Sequence, residues 1–318
     1  MKRLVSIPLS ISTALLLPAA GAAAAKTPKA PPAKGPESAT VKIKVGHLHG
    51  GKARIMSTVP VAGTVKPFVP GQRVEVNFYL NGTRIQTEKA RVNGGRFRAR
   101  IRIEHAGKYA ASARLPATRA LRGDATVRKS WRVLFPSLRS GDCGDVVIGF
   151  KKAMRKMGYI ANSGRCFGGK TARGVLAYRK VNGMARRSRA GKGLVKRAFA
   201  GKGEYEVRHP GAGEHVEAPL SKQVLVFAKG DQPFAVYPVS SGKSSTPTVT
   251  GRFSFIRTEP GYNSHGMYYS FYFYGGYAVH GYDSVPDYPA SHGCIRTFIA
   301  DQPEIYERIN YGESIFVF

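Results

Sequence analysis

Apolar and polar residues alternate through much of residues 40–135. The runs 41–45 (Val-Lys-Ile-Lys-Val) and 96–103 (Arg-Phe-Arg-Ala-Arg-Ile-Arg-Ile) place an apolar side chain at every second position, as a half-buried strand requires. Turn signals such as Pro70-Gly71 and Asn81-Gly82 separate these runs. The pattern predicts a β-sandwich over residues 40–135.

A helical pattern replaces this alternation over residues 137–185. An amphipathic helix is predicted from Ile148 to Met157. A second helix is predicted around Val175 and Tyr178, with Thr171 as its N-terminal cap. Strand-like alternation returns over residues 204–318, where helical periodicity is scarce until residues 299–309. The fold class that follows is mainly β and multi-domain.

Three segments lack any core-forming pattern. Residues 1–25 combine a basic start with an apolar stretch and small residues at its end, which predicts a secretory signal peptide. Residues 26–39 are rich in Pro, Ala and Lys, so we expect a flexible tether. Residues 186–203 are basic and Gly-rich, and we expect a structureless linker there. The signal predicts a secreted, cell-wall-associated protein.

Positive charge is distributed unevenly along the chain, whose formal net charge is +31. Residues 26–135 carry 23 Lys and Arg against 5 Asp and Glu, and residues 136–215 carry 18 against 5, whereas residues 216–318 carry 7 against 9. In a cytosolic protein such charge would favour nucleic acid. An exported protein first meets the anionic polymers of the cell envelope, so we expect those polymers, and no nucleic acid, as partners of the basic region.

The three cysteines fall into two groups. Cys143 and Cys166 lie together in the helical segment, whereas Cys294 stands alone near the C-terminus. Outside the cytosol disulfides persist, so we expect Cys143 and Cys166 to pair and Cys294 to remain a free, reactive thiol.

Two histidines accompany Cys294. A thiol attacks an acyl carbon as its thiolate, which a neighbouring imidazole helps to form. His292 precedes Cys294 by two positions, and roughly 6 to 7 Å then separate their backbones in an extended segment, so a direct hydrogen bond is awkward. His280 comes from a separate segment and can approach face on. These residues predict a cysteine nucleophile with His280 as its base.

Motifs in order along residues 204–318 resemble the YkuD-type L,D-transpeptidase domain. They include Ser240-Ser241-Gly242, Thr250-Gly251-Arg252-Phe253, His280-Gly281 and Ser291-His292-Gly293-Cys294-Ile295-Arg296. Residues 137–185 resemble the short helical peptidoglycan-binding module, from Gly144-Asp145 through Phe167-Gly168 to Asn182-Gly183. The sandwich is similar to immunoglobulin-like domains, whose tyrosine corner matches Tyr109. An ordinary helical linker is the alternative for residues 137–185.

The catalytic resemblance implies roles for individual residues. His280 would be the base, oriented through the carbonyl of Gly281, and His292 would shape the site. Amides around Gly293 and Cys294 would hold the developing oxyanion. Three further residues are candidate substrate contacts, with Arg296 either binding a carboxylate or bracing the loop: Ser291, Arg296 and Tyr268.

The resemblance also implies a substrate. Such enzymes cleave an L,D bond in the tetrapeptide stem of peptidoglycan, form a thioester at the cysteine and pass the acyl group to an amine on another stem, which gives a 3→3 crosslink. Carbapenem-type inhibitors are expected to acylate the same thiol. Two steps through one thioester need no metal and no cofactor.

Three alternatives use the same sequence differently. A zinc peptidase would draw on His265, His280, His292, Cys294, Asp283 or Asp287, although no H-E-x-x-H or paired C-x-x-C spacing is present. A sortase also orders His, Cys and Arg this way but separates its histidine further from the thiol. A non-catalytic wall-binding protein would need a broken site, whereas Cys294 and His280 are both present.

Overall fold

The computed structural model describes residues 36–318, so the predicted signal peptide and most of the predicted tether lie outside the described residues. Two residues of the predicted tether, Glu37 and Ser38, form a short strand. The chain is mainly β and multi-domain, as the sequence predicts. No helix within residues 36–318 is both long enough and apolar enough to cross a membrane.

Strands alone build the N-terminal domain. Their bounds are β1 (Glu37–Ser38), β2 (Thr40–Val45), β3 (Lys52–Arg54), β4 (Thr58–Lys66), β5 (Arg73–Leu80), β6 (Thr83–Arg91), β7 (Arg96–Arg102), β8 (Lys108–Leu115), β9 (Leu121–Arg122), β10 (Asp124–Ala125) and β11 (Lys129–Leu134). A three-stranded sheet has the order β2-β4-β7, and a larger sheet has the order β3-β11-β8-β5-β6 with β10 beside β8.

The alternation seen in the sequence fixes which face of each strand is buried. In β7, Phe97, Ala99 and Ile101 are buried and the four intervening arginines are exposed. The buried residues of both sheets belong to one apolar cluster, as in a two-layer sandwich. Tyr109 is buried and its hydroxyl accepts a hydrogen bond from the His105 N–H at 3.2 Å, which is the backbone contact that a tyrosine corner makes.

Three helices form a layer between the sandwich and the C-terminal domain: α1 (Asp145–Lys156), α2 (Gly169–Val181) and α3 (Lys192–Phe199). Helix α3 overturns the expectation of a structureless linker at 186–203. Its sequence is basic, but Leu194, Val195 and Ala198 are buried against the rest of the core, and tertiary packing of one apolar face outweighs weak local propensity.

Two further differences concern the helix ends. Helix α1 begins at Asp145, three residues before the predicted start, and Gly144 is its N-cap residue. The Asp145 carboxylate lies in the first turn, where it interacts favourably with the helix dipole. Thr171 is not the cap of α2. Gly168 holds that position, whereas Thr171 is buried and its hydroxyl bonds the side chain of Asn162.

The predicted disulfide is present. Cys143 and Cys166 are joined, and Cys294 is a free thiol. Beside the disulfide, the buried Lys151 ammonium donates to the carbonyl oxygens of Ser163, Gly164 and Cys166. The disulfide and the buried Lys151 ammonium together hold the loop between α1 and α2. They stabilise a helical segment that is too small to have a large apolar core of its own.

The C-terminal domain consists of two sheets and a short helix. Its elements are a 3₁₀ turn (Pro210–Ala212), β12 (Glu214–Ala218), β13 (Val224–Lys229), β14 (Gln232–Pro238), β15 (Gly251–Ser254), β16 (Arg257–Tyr262), β17 (Tyr268–Tyr274), β18 (Tyr277–Tyr282), β19 (Ile295–Phe298), α4 (Gln302–Arg308) and β20 (Ser314–Val317). The five-stranded sheet has the order β14-β13-β12-β20-β15, and the four-stranded sheet has the order β16-β17-β18-β19. A second apolar core lies in this domain.

Two helical glycines give a matched test of this packing. A side chain at Gly174 in α2 would collide with the Ile160 carbonyl, whereas one at Gly193 in α3 would meet nothing within 4 Å. We expect Gly174→Ala to lower the free energy of unfolding by about 1–3 kcal/mol, because overpacking forces backbone shifts. Gly193→Ala should be neutral or stabilising by up to ~1 kcal/mol. Urea denaturation followed by circular dichroism measures both, and equal effects would contradict the packing of α2.

Candidate active site

Strands β18 and β19 bring Cys294 and His280 to one face of the four-stranded sheet. The strands are parallel, with Val279 paired to Ile295 and His280 paired to Arg296. Val279 and Ile295 belong to the apolar core. Because side chains alternate along a strand, His280, Arg296 and Cys294, which directly precedes β19, all lie on the opposite face. The β18–β19 register therefore brings these three residues to one face, although up to 16 positions separate them in the sequence.

The Cys294 thiol is uncharged at rest. Its side chain is half-buried and the thiol donates to the Gly276 carbonyl at 3.6 Å. Burial raises the pKa of the Cys294 thiol above its ordinary value, and this outweighs a backbone hydrogen bond from Ala278 and the positive charge of Arg296, which both lower it. A base would have to remove this proton before the sulfur could act as a nucleophile.

His280 is the candidate for such a base. It is buried, and its Nδ1 lies 2.9 Å from the Gly281 carbonyl oxygen. A carbonyl only accepts hydrogen bonds, so Nδ1 carries the proton and Nε2 keeps its lone pair. The pKa of His280 is lowered to about 4, mainly by burial; the Gly281 hydrogen bond raises it and the charge of Arg296 lowers it. At neutral pH the imidazole is unprotonated and can accept a proton.

The loop before Cys294 is held by Ser291. The Ser291 hydroxyl accepts a hydrogen bond from the Gly293 N–H at 3.1 Å and donates to the Cys294 carbonyl at 2.5 Å. Gly293 has φ of 121°, in the region that favours glycine. A Cβ there would also lie 2.6 Å from Tyr277 Cε1, so Gly293 is required by both conformation and space.

This arrangement revises the expected oxyanion donors. The Gly293 N–H is already bonded to Ser291. The Cys294 N–H has no acceptor within residues 36–318 and remains available. Of the two amides named from the sequence, the one on Cys294 fits an oxyanion donor, and Ser291 positions the loop.

Arg296 is fixed by its backbone and free at its side chain. Its N–H and carbonyl both bond Ser240, at 2.9 and 3.0 Å. Its guanidinium lies over the Tyr282 ring, 4.0 Å from the centroid. Within the described part of the chain Arg296 forms no ion pair with Asp or Glu. A half-buried, unpaired guanidinium on the same face as the thiol can bind a carboxylate.

Tyr268 and His292 flank this group. Tyr268 pairs with Gly281 across β17 and β18, and a Cβ on Gly281 would lie 3.1 Å from Tyr268 Cδ1. Tyr268 therefore packs directly against the residue that orients His280. His292 is exposed, and its Nε2 lies 3.4 Å from Lys243 Nζ, which places it at the rim.

A chain of buried polar side chains lies behind His280, and no sequence pattern predicted it. The Thr297 hydroxyl bonds the His280 carbonyl at 3.0 Å and the Gln302 side chain. Gln302 in turn donates to the Tyr269 carbonyl at 2.6 Å. Both Thr297 and Gln302 are fully buried. Polar residues directly after the Cys294 segment were the available signal, but nothing in their spacing indicates this network.

The chain continues into the helical layer. Asp301 precedes α4 and is 2 % exposed, and Arg173 of α2 binds it through Nε and Nη2 at 2.5 and 2.6 Å. A second ion pair joins Lys170 to Glu304. The helical layer therefore holds the element that supports His280.

The residues of the zinc alternative are not brought together. Within residues 36–318 no group of three or more His, Cys, Asp or Glu side chains has a metal-binding arrangement. His265 is exposed on the turn between β16 and β17.

The C-terminal part of the chain is a mainly β domain in which a free cysteine and a buried histidine lie on one face of a sheet. Residues 213–317 match the family model of the YkuD L,D-transpeptidase catalytic domain. This part of the chain is thus a YkuD-type L,D-transpeptidase catalytic domain, as its motifs predict.

Solved structures of the same class are similar to this chain. The L,D-transpeptidase (residues 123–326) from Xylanimonas cellulosilytica is 27% identical, with a TM-score of 0.52, over 58% of this chain and 98% of that one. The L,D-transpeptidase from Stackebrandtia nassauensis is 21% identical over 57% of this chain and 96% of that one, with a TM-score of 0.34. No curated protein matches the chain.

The Arg173–Asp301 pair predicts a large loss of stability. Arg173→Met leaves a buried carboxylate without its partner, so the free energy of unfolding should fall by about 3–5 kcal/mol. Adding Asp301→Asn should recover part of that loss because the charge is removed. Urea denaturation of the two single variants and the double variant measures the coupling. Additive losses would show that the pair contributes nothing.

The neutral resting pair predicts a particular pH dependence of thiol alkylation. Because burial raises the pKa of Cys294, alkylation by iodoacetamide should rise steadily through pH 7 to 9 without an earlier plateau. His280→Gln should change the rate at pH 7 by less than about threefold, since a neutral imidazole does not hold a thiolate. Cys294→Ala is the control for background labelling. A plateau from pH 5 upward that His280→Gln abolishes would instead indicate a thiolate–imidazolium pair.

Proposed function

We propose that this chain is an extracytoplasmic L,D-transpeptidase that acts on the tetrapeptide stems of peptidoglycan through a thioester at Cys294. The observation that carries the proposal is the β18–β19 register, which places the thiol and His280 on one face with the His280 Nδ1–H bonded to Gly281. The family match of residues 213–317 supports the reaction class.

Acylation follows from these positions. His280 Nε2 takes the thiol proton while Cys294 Sγ attacks the carbonyl carbon of the L,D bond. The Cys294 N–H stabilises the oxyanion that forms. When the C–N bond breaks, the protonated His280 gives its proton to the leaving amine of the D-residue, and a thioester remains. The low pKa of His280 makes its protonated form a strong acid for this step.

Deacylation reverses the same proton path. An amine from a second stem attacks the thioester carbon, His280 accepts the proton that the amine loses, and the C–S bond breaks to release the thiolate, which His280 reprotonates. The product is a 3→3 crosslink. Arg296 is proposed to bind a carboxylate of the donor stem, because its guanidinium is unpaired on the face of the thiol. We also propose that α1 and α2 bind peptidoglycan.

Intact-protein mass spectrometry tests the thioester. After incubation with a tetrapeptide-stem muropeptide or a carbapenem, the wild-type chain should gain one acyl adduct, and Cys294→Ala should gain none. His280→Gln should acylate about 10²- to 10⁴-fold more slowly, because a positioned base contributes that range.

Product analysis distinguishes the acceptors. A crosslinked muropeptide dimer supports transpeptidation, whereas release of free tripeptide alone would show that water is the acceptor. Absence of an adduct on a thiol that iodoacetamide still alkylates would contradict the proposal and favour a wall-binding protein without activity.

A further inference from the structure

The outer face of the three-stranded β2-β4-β7 sheet carries an unusual arrangement of positive charge. Strand β7 exposes Arg96, Arg98, Arg100 and Arg102, while Phe97, Ala99 and Ile101 point into the core. At the opposite edge, β2 exposes Lys42 and Lys44. Because every second residue of a strand faces the same side, each edge of this sheet forms a straight cationic ridge.

The middle strand forms a floor between the ridges. The register pairs Thr64 with Lys42 and Arg96, and Ala62 with Lys44 and Arg98. Pro60 lies opposite Arg100. Three small side chains without charge therefore separate the ridges, which lie roughly 10 Å apart because neighbouring strands are spaced by ~4.8 Å. We call this surface the arginine groove.

The charges of the groove are not used within the protein. Within residues 36–318, Arg96, Arg98, Lys42 and Lys44 form no ion pair. Arg102 marks the end of the groove, because Asp145 of α1 binds it at 2.9 Å and Glu104 lies 3.6 Å away. Glu88 is the acid beside Arg100, where it accepts the backbone N–H at 3.1 Å.

The other sheet of the sandwich provides a contrast. There Arg114 pairs with Glu75 at 3.5 Å, and the Arg128 guanidinium lies over the Tyr79 ring, 3.8 Å from its centroid. Other arginines of that sheet, such as Arg73 of β5 and Arg91 of β6, form no ion pair within residues 36–318. No strand of that sheet, however, places four exposed arginines at alternate positions, so the row of arginines along β7 is a local feature.

We propose that the arginine groove binds an extended, single-chain phosphodiester polymer whose repeats lack bases, such as a polyol phosphate. The arginines repeat about every 6.8 Å along β7, a spacing comparable to that between consecutive phosphates of an extended chain with three-carbon bridges. Guanidinium groups bind phosphate oxygens in a bidentate manner.

The floor of the groove argues against other anionic partners. Thr64, Ala62 and Pro60 offer no aromatic ring on which a base stacks, which single-stranded nucleic acid binding uses. They also offer no large apolar side chain to enter a lipid surface. A flat floor with charge along both edges fits a narrow chain recognised through its phosphates alone.

Fluorescence anisotropy of an end-labelled 1,3-linked glycerol phosphate oligomer with the full-length chain, over a series of NaCl concentrations, tests the groove. The triple variant Arg96→Gln, Arg98→Gln and Arg100→Gln should weaken binding about tenfold or more at low salt. It should also reduce the slope of log affinity against log salt by about 2, since each lost phosphate contact removes ~0.7.

The matched control removes the same charge elsewhere. Lys192, Lys196 and Lys202 are exposed on and just after α3, and their triple substitution by Gln should leave the salt slope unchanged. Lys42→Gln with Lys44→Gln, on the second ridge, should lower the slope by about 1.4 on the same basis. Iodoacetamide alkylation of Cys294 should be unchanged in all variants, which separates this surface from the proposed reaction.

Two results would overturn the inference. Equal loss of slope in the groove variant and the control would show that only net charge matters. Equal or tighter binding of a DNA duplex, or of phosphatidylglycerol vesicles, at the same phosphate concentration would show that the groove is not selective for a single phosphate chain.

Discussion

The buried ion pair between Arg173 and Asp301 is the contact on which the arrangement of the site depends. Asp301 has almost no exposure to water, and an unpaired carboxylate in that position would be strongly destabilising. The pair fixes the start of α4, and the next residue, Gln302, bonds Thr297 and the Tyr269 carbonyl. Thr297 bonds the His280 carbonyl. A helix outside the C-terminal domain thus supports the strand that carries His280.

Charge is partitioned between the two ends of the molecule. The sandwich and helices hold the basic excess, and the catalytic part is slightly acidic. Within the site, Arg296 is the positive group that acts on both Cys294 and His280. Its charge favours the thiolate and disfavours the imidazolium, while burial opposes both charged forms. Both groups are therefore neutral near neutral pH.

The sequence predicted those features that depend on local pattern. The buried face of β7 and the residues around Cys294 could be predicted because each depends on neighbouring positions in the sequence. Two features depend on distant partners instead. Arg173 and Asp301 are separated by 128 positions, and α3 is stabilised by packing of its buried Leu194 and Val195. The hydrogen bond from the Gly293 amide to Ser291 is local, but it depends on a loop conformation that the sequence pattern does not specify. No spacing of residues in the sequence predicts these contacts.

The protonated resting state of Cys294 has a consequence for chemical durability. Peroxides and other oxidants attack the thiolate, and they react slowly with a neutral thiol. Burial that raises the pKa of Cys294 therefore keeps the sulfur in its unreactive form until a base removes the proton. No second cysteine is free to form a protective disulfide with it. Protonation itself therefore protects this unpaired thiol.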